Sequence, residues 1–172
     1  PLNNAVIQLE DTHSFEASVT DATDVISDVF VTWSSDIDGL LYNDFLTATG
    51  RSSFSVSGLS VGIHQISVTA TDPEGAASTN IIHLQVNTRP VVLEPLLPEI
   101  GYSQTELVAQ VSTEDDDGDP VTVDYLWSCS SCATSIADVS LDRVPSAQVF
   151  AGDIWTLTVT PNDGYTDGNP VS

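Results

Sequence analysis

The chain has 172 residues, with 25 Asp and Glu against three Arg and no Lys, a net charge of −22 and a pI near 4.1. Nucleic acid and anionic membrane surfaces both need clustered cationic side chains, so this balance excludes them as partners. The apolar fraction of 41% is ordinary for a folded protein, and no apolar run reaches the ~18 residues that would insert in a membrane. Pro1 is expected to be an internal cut, with any targeting signal upstream.

Val, Thr, Ser, Ile and Asp dominate, a strand-and-turn composition with no convincing amphipathic helix. Asn4–Leu9 reads as a first strand, followed by a turn at Glu10-Asp11-Thr12. Phe15, Ala17 and Val19 alternate with Glu16, Ser18 and Thr20, the period-two pattern of a half-buried strand. After the acidic stretch Asp21–Asp28, Val29, Val31 and Trp33 form the next inward set, with Trp33 as a core plug. Leu40–Leu46 and Ser53–Leu59 are shorter strands. Ile66, Val68 and Ala70 point inward on the next strand, Asp72-Pro73-Glu74-Gly75 turns, and Ile82, Leu84 and Val86 close the set. Seven short strands in about 88 residues are the spacing of a β-sandwich.

Asn87-Thr88-Arg89-Pro90 marks a boundary, after which the pattern repeats. Leu107, Ala109 and Val111 match Phe15, Ala17 and Val19. Val123, Tyr125 and Trp127 match Val29, Val31 and Trp33, and Trp155, Leu157 and Val159 match His64, Ile66 and Val68. The chain is therefore read as all-β, with one sandwich over 1–88 and a second over 89–172. The counterpart of Ser78–Val86, the last strand, is missing from the second.

Glu114-Asp115-Asp116-Asp117-Gly118-Asp119-Pro120 is the densest acidic stretch. Like charges this close repel by about 1 kcal/mol per pair even in water. A folded loop must splay them into solvent or bind a cation. Oxygen-only ligands on a flexible loop suit calcium better than magnesium. The spacing is not an EF-hand, because Gly118 comes too early and Leu126 stands where the twelfth-position Glu belongs. Cys129 and Cys132 lie outside any βαβ context and have too few partners for a structural zinc site, which leaves a local disulfide, the expected state, or two free thiols.

With the repeat in view, the chain resembles PKD-like and related immunoglobulin-like repeats of bacterial or archaeal surface and secreted proteins. Trp33-Ser-Ser-Asp-Ile-Asp-Gly39 looks like the family's Trp-to-Asp-Gly turn. Gly62–Gly75 looks like its Gly-x-His-x-Ile-x-Val segment with the following Asp-x-x-Gly, and Asn87-Thr-Arg-Pro90 like the joint between repeats. Asp115–Trp127 and Gly152–Gly164 are similar to segments of related repeats. The second repeat departs from the pattern after Trp127, where Ser128–Cys132 replaces the Asp-Gly turn.

In a sandwich of this topology, the loop before the third strand and the loop before the last strand share one pole. The resemblance implies that this pole can hold calcium, at the junction between repeats. The expected ligand set is Asn87, Asp115, Asp117, Asp119 and Asp163, with a sparser second set of Asn4, Asp21, Asp24, Asp72 and Glu74. Asp36 and Asp38 are expected to cap a turn or to face the second repeat.

No catalytic constellation stands out, and the chain is not read as an enzyme. His64 and His83 read as ordinary strand residues, and Trp33, Trp127 and Trp155 as core. The expected function is a structural segment of an extracellular surface protein, as stalk, adhesin or filament. Its partners would be neighbouring repeats, or sister subunits that donate a strand such as Asn4–Leu9. The alternative is an accessory module of a secreted hydrolase that binds surface polysaccharide or protein, for which Tyr42, Tyr102 and Tyr165 are the loop aromatics.

Overall fold

The computed structural model describes residues 1–96, 103–132 and 141–172. The chain divides into two compact units, Pro1–Thr88 and Arg89–Ser172. Tyr102 lies outside the described residues. No helix among them is long and apolar enough to cross a membrane.

The first unit has seven strands: β1 (Ala5–Gln8), β2 (His13–Ser18), β3 (Phe30–Ser35), β4 (Gly39–Phe45), β5 (Arg51–Val56), β6 (Gly62–Thr71) and β7 (Ala77–Asn87). One sheet runs β1-β7-β6-β3-β4 and the other is β2-β5. Alternation places Phe15, Val31, Trp33, Ile66, Leu84 and Val86 between the sheets, all buried. Trp33 is the plug. Its Nε1 donates to Ser52 Oγ on β5 at 3.0 Å, and its ring meets Phe15 edge-on with centroids 6.0 Å apart. Phe54 stacks between Phe15 and Tyr42 at 5.3 and 5.1 Å, so Tyr42 is committed to the sandwich and is not a loop aromatic.

Asn4–Leu9 reads as a first strand, and Ala5–Gln8 pairs in parallel with Leu84–Asn87 of its own chain, with Ile7 buried in its own core. Asn4 makes this possible. It takes the left-handed conformation (φ 62°) that Asn tolerates best among side-chain-bearing residues, and its N–H donates to the His83 carbonyl at 2.6 Å.

The β3–β4 turn is held by a buried polar knot. His64 is fully buried, not at the core edge, and its Nε2 donates to the Ser60 carbonyl at 2.6 Å. Its Nδ1 faces Ser35 Oγ at 2.7 Å and Asp38 Oδ2 at 3.7 Å. Ser35 Oγ also accepts the N–H groups of Ile37 and Asp38. Asp38 in turn accepts from Ser60 N–H at 3.0 Å and Ser60 Oγ–H at 2.5 Å, and Asp36 accepts from Gln65 N–H at 2.7 Å. Both acids therefore cap turns within the first unit.

Partial burial pushes the Asp38 carboxyl up, but the Ser60 bonds and the adjacent imidazole outweigh it and hold the pKa below the usual range. A depressed native pKa contributes stability above the unfolded value of about 3.9, lost as pH falls through the native value. Asp38→Asn is expected to destabilise the first unit by about 0.5–1 kcal/mol at neutral pH, less than the ~1.5–3 kcal/mol of buried bonds to charged groups because the carboxylate is partly solvated. In urea titrations the gap should close in acid, and a gap of equal size at both pH values would contradict this account.

The second unit has six strands among the described residues: β8 (Val91–Leu96), β9 (Leu107–Val108), β10 (Gln110–Glu114), β11 (Thr122–Cys129), β12 (Arg143–Val144) and β13 (Trp155–Asn162). The pairs β8-β10, β9-β12 and β11-β13 are all antiparallel. Leu107, Ala109, Trp127, Val144, Leu157 and Val159 form its core. Trp127, 1% exposed, is the second plug, and its Nε1 donates to the Leu141 carbonyl at 3.0 Å.

β13 pairs with β11 along its whole length. On its other edge, among the described residues, Val171 exchanges both backbone bonds with Val159, at 2.8 and 2.9 Å, and Asp167 bridges Asn162. These are isolated bridges, and the Trp155–Leu157 stretch of that edge carries no strand among the described residues.

Cys129 and Cys132 form a disulfide, with Cα atoms 5.7 Å apart. It closes a turn of two intervening residues after β11. Chain-entropy gain falls with loop size, so the Cys129→Ser/Cys132→Ser double variant is expected to lose about 2 kcal/mol at most. Intact mass after alkylation without reductant checks the bond, and two alkylated cysteines would refute it.

Candidate metal centre

The acidic loop between β10 and β11 is built around one side chain. Asp115 Oδ1 accepts the N–H groups of Asp117, Gly118 and Asp119 at 3.1, 3.1 and 3.3 Å. Gly118 turns the chain at φ 82°, a conformation that costs glycine nothing. This wraps the loop about the Asp115 carboxylate and brings alternate residues 115, 117 and 119, all half-buried, to one side, while Asp116 is exposed.

Asp163 comes from the turn after β13. It is 4% exposed, and its Oδ1 accepts the N–H groups of Tyr165 and Thr166, both at 2.7 Å. Burial first, then the hydrogen-bonding proximity and charge of Asp117, push the Asp115 carboxyl above the usual range. Burial, then the charges of Asp117 and Asp163, push Asp119 up as well. Asp115, Asp117 and Asp119 thus feel one another within the loop, and the charge of Asp163 reaches Asp119 from the turn after β13. Asp115 Oδ2 and Asp119 Oδ2 are shielded from solvent with no hydrogen-bond donor.

Two carboxylates offer each other no proton, so a shielded cluster of this kind needs protonation or a cation. All the donors are hard oxygens, in keeping with calcium coordination by six to eight oxygens. Of the expected first set, Asp115, Asp117 and Asp119 share the β10–β11 loop, and Asp163 lies close enough to act on the Asp119 carboxyl. Asn87 belongs to the other unit, where it ends β7, fully buried, with its Nδ2 donating to the Thr88 carbonyl at 2.6 Å.

The second set is met only in part. Carboxylate oxygens of Asp21, Asp24 and Asp72 lie within 4.8 Å of one another. Asp21 Oδ1 accepts the N–H groups of Thr23 and Asp24 and the Thr23 hydroxyl, and these bonds, Thr23 N–H foremost, hold its pKa below the usual range. Asp72 Oδ1 accepts Ala76 N–H at 2.7 Å. Asn4 does not join them. It sits beside His83, whereas the Asp72 turn feeds β7 at Ala77, six positions earlier on the strand. Glu74 is exposed at that turn and outside the trio.

Ser35, His64 and Asp38 contain the residue types of a hydrolytic triad but not its arrangement. Serine and aspartate both face Nδ1, and Nε2 is taken by a carbonyl. Ser35 is 5% exposed, and its oxygen already accepts two backbone N–H groups, so no lone pair is free to attack a substrate. This knot was not anticipated from sequence, although the Gly62-x-His64 motif pointed to the histidine. Trp33 and Trp127 are core residues, 4% and 1% exposed, and cannot form a sugar-stacking platform. Tyr165 is 52% exposed.

No family model and no curated protein matches the chain. Solved structures do. Titin domains A168–A170 superpose with a TM-score of 0.57 at 13% identity, covering 97% of this chain and 58% of that one. Titin domains I67–I69, in an E-to-A variant, give 0.53 at 12% identity, covering 97% and 60%. Fibronectin(III)-like modules of Clostridium thermocellum CbhA give 0.44 at 17% identity, covering 99% and 87%. The chain spans about three fifths of the length of the titin segments. At these identities the two titin likenesses define the fold alone: the chain is made of immunoglobulin-like β-sandwich modules.

Proposed function

We propose that the chain is a structural repeat segment of an extracellular surface protein, with calcium bound by the second module. Asp115, Asp117, Asp119 and Asp163 would hold the ion. The carrying observation is the shielded, donor-less oxygens of Asp115 and Asp119, on a loop wound about the Asp115 carboxylate and facing the charge of further carboxylates. The ion neutralises the cluster and ties the β10–β11 loop to the turn after β13. A surface this acidic stays soluble and resists self-association in cation-rich surroundings.

Calorimetric titration of the chelator-treated chain tests the calcium site. Calcium is expected to bind with a dissociation constant on the order of 10⁻⁴–10⁻³ M, the range of extracellular modules, and magnesium more weakly. Asp163→Asn keeps an oxygen for the Tyr165 and Thr166 amides while removing a charge, so it should weaken binding without unfolding the turn. Equal heats for wild type and variant would remove Asp163 as a ligand. The structural role is checked by pulling a chain that carries this segment. Each module should yield as a separate cooperative step, and extension without such steps would count against a load-bearing role.

A further inference from the structure

The sheet β1-β7-β6-β3-β4 has one face in the core of the first unit and one turned outward. β1, β3, β6 and β7 contain no Asp, Glu, Lys or Arg. The single charged residue of the sheet is Asp44 on β4. It pairs with Val31, whose side chain is buried, and it accepts the Tyr42 hydroxyl, so it belongs to the core side of that edge. Among the described residues, the outward face is therefore without formal charge, in a chain of net charge −22. His83 is its one titratable side chain. Acids resume at the turns that flank the strands, as at Asp28, Asp36 and Asp72.

The polar groups of this face are paired across strands. Thr32, Thr69 and Thr79 are register partners on β3, β6 and β7, as are Ser34 and Ser67 on β3 and β6. Ser34 and Ser67 share a hydrogen bond at 2.8 Å, and so do Thr69 and Thr79. Hydroxyls paired in this way lose little when water leaves, because the cost of burial falls on polar groups left without a partner. Around them stand apolar side chains in the open. Leu40 is 61% exposed, Phe45 58%, Ile63 70% and Ile81 44%. Phe45 meets Phe30 edge-on at 5.1 Å, outside the core cluster. The second unit does not repeat this face, since the internal repeat sets Asp124 where the first unit has Phe30.

We propose that this face docks a second copy of the chain, face to face about a twofold axis. Net charge decides the partner. Two chains of −22 repel wherever their acidic turns approach, and this face is where the first unit lacks acid. A twofold contact lays the uncharged patch on its identical counterpart. Strands at ~4.8 Å spacing and ~3.4 Å rise give a five-stranded face of about 600 Å². Two such faces bury about 1,200 Å², the lower end of specific interfaces, which fits a weak dimer. A neutral sugar is the poorer match, since the paired hydroxyls already spend donors on one another. This inference is independent of the calcium reading.

Sedimentation velocity of the full chain in chelator, from micromolar to millimolar concentration, tests it. Association is expected to strengthen by about tenfold or more between about 0.01 and about 1 M sodium chloride, as the screening length of the acidic turns falls from about 30 to about 3 Å. Thr69→Glu sets a charge on the middle strand of the face, opposite a copy that carries the same charge, and should weaken association by about tenfold or more. Thr69→Lys should do the same alone. Mixed in equal amounts, the two variants should associate again, which misfolded chains cannot do. Ile81→Glu, on the neighbouring strand, gives a second reading of the same loss. A chain that stays monomeric throughout overturns the proposal. So does association that both Glu variants leave unchanged, or folded Thr69 variants that stay apart when mixed. Association that needs calcium overturns it too, because cation bridges between acidic turns are then the cause. Binding of dextran, a neutral glucan, to a monomeric chain, lost in Thr69→Glu, would make the occupant a glycan instead.

Discussion

Calcium at about a hundredfold over its dissociation constant is expected to stabilise the second unit by about 2.7 kcal/mol, because it binds the folded state alone. For a unit of this size that is an upward shift in melting temperature on the order of 10–20 °C. The metal-free protein should behave in the opposite sense with pH. Asp115 and Asp119 have native pKa values above the unfolded ones, so the folded unit binds the extra protons. Stability is then greatest below about pH 4 and falls as pH rises through the raised values. Calcium should remove this loss, while acid should expel the ion. Asp119→Asn gives effects of opposite sign. Without calcium it relieves repulsion and raises the melting temperature, and with calcium it lowers the gain. Thermal unfolding in calcium and in chelator measures both. A calcium response that the variant leaves intact would mean that the ion sits elsewhere.

Trp33→Ala is expected to cost the first unit about 3–5 kcal/mol through the cavity it leaves. Ser52, itself buried, loses the indole donor, adding about 1 kcal/mol. Against a total of about 5–15 kcal/mol for a domain, this is enough to leave much of the unit unfolded at 37 °C. Trp33→Phe keeps most of the volume and the contact with Phe15, and should lose about half as much. Trp155→Ala, at a half-buried position, should cost the second unit distinctly less than Trp127→Ala costs it. Equal losses for Trp155 and Trp127 would mean that Trp155 is as much a core plug as its neighbour. Urea midpoints followed by tryptophan fluorescence and circular dichroism supply these values.

Strands whose inward side alternates strictly were legible from the sequence, as at Phe15-Ala17-Val19 and Val29-Val31-Trp33, because a two-residue period needs only the local chain. Legibility was poorer where pairing decides the strand. β4 and β5 begin one or two residues before the expected Leu40 and Ser53, since the register against β3 and β2 sets their ends. For the candidate site, the acidic loop announced itself by composition. Asp163 could be joined to it only through an assumed sandwich topology.

What the sequence determined by itself was the all-β character, the internal repeat, the core placement of Trp33 and Trp127 and the presence of the acidic loop. All of these are encoded by side chains within a few positions of one another, or by the same pattern appearing twice. The tertiary structure alone decided which distant groups meet. It put His64 against Ser35 across 29 residues, and turned Asn4 away from the Asp72 loop and into pairing with β7. Each of these follows from the order of strands in a sheet. That order is set by burial of both faces and pairing of edges over the whole module, which no window of the sequence contains.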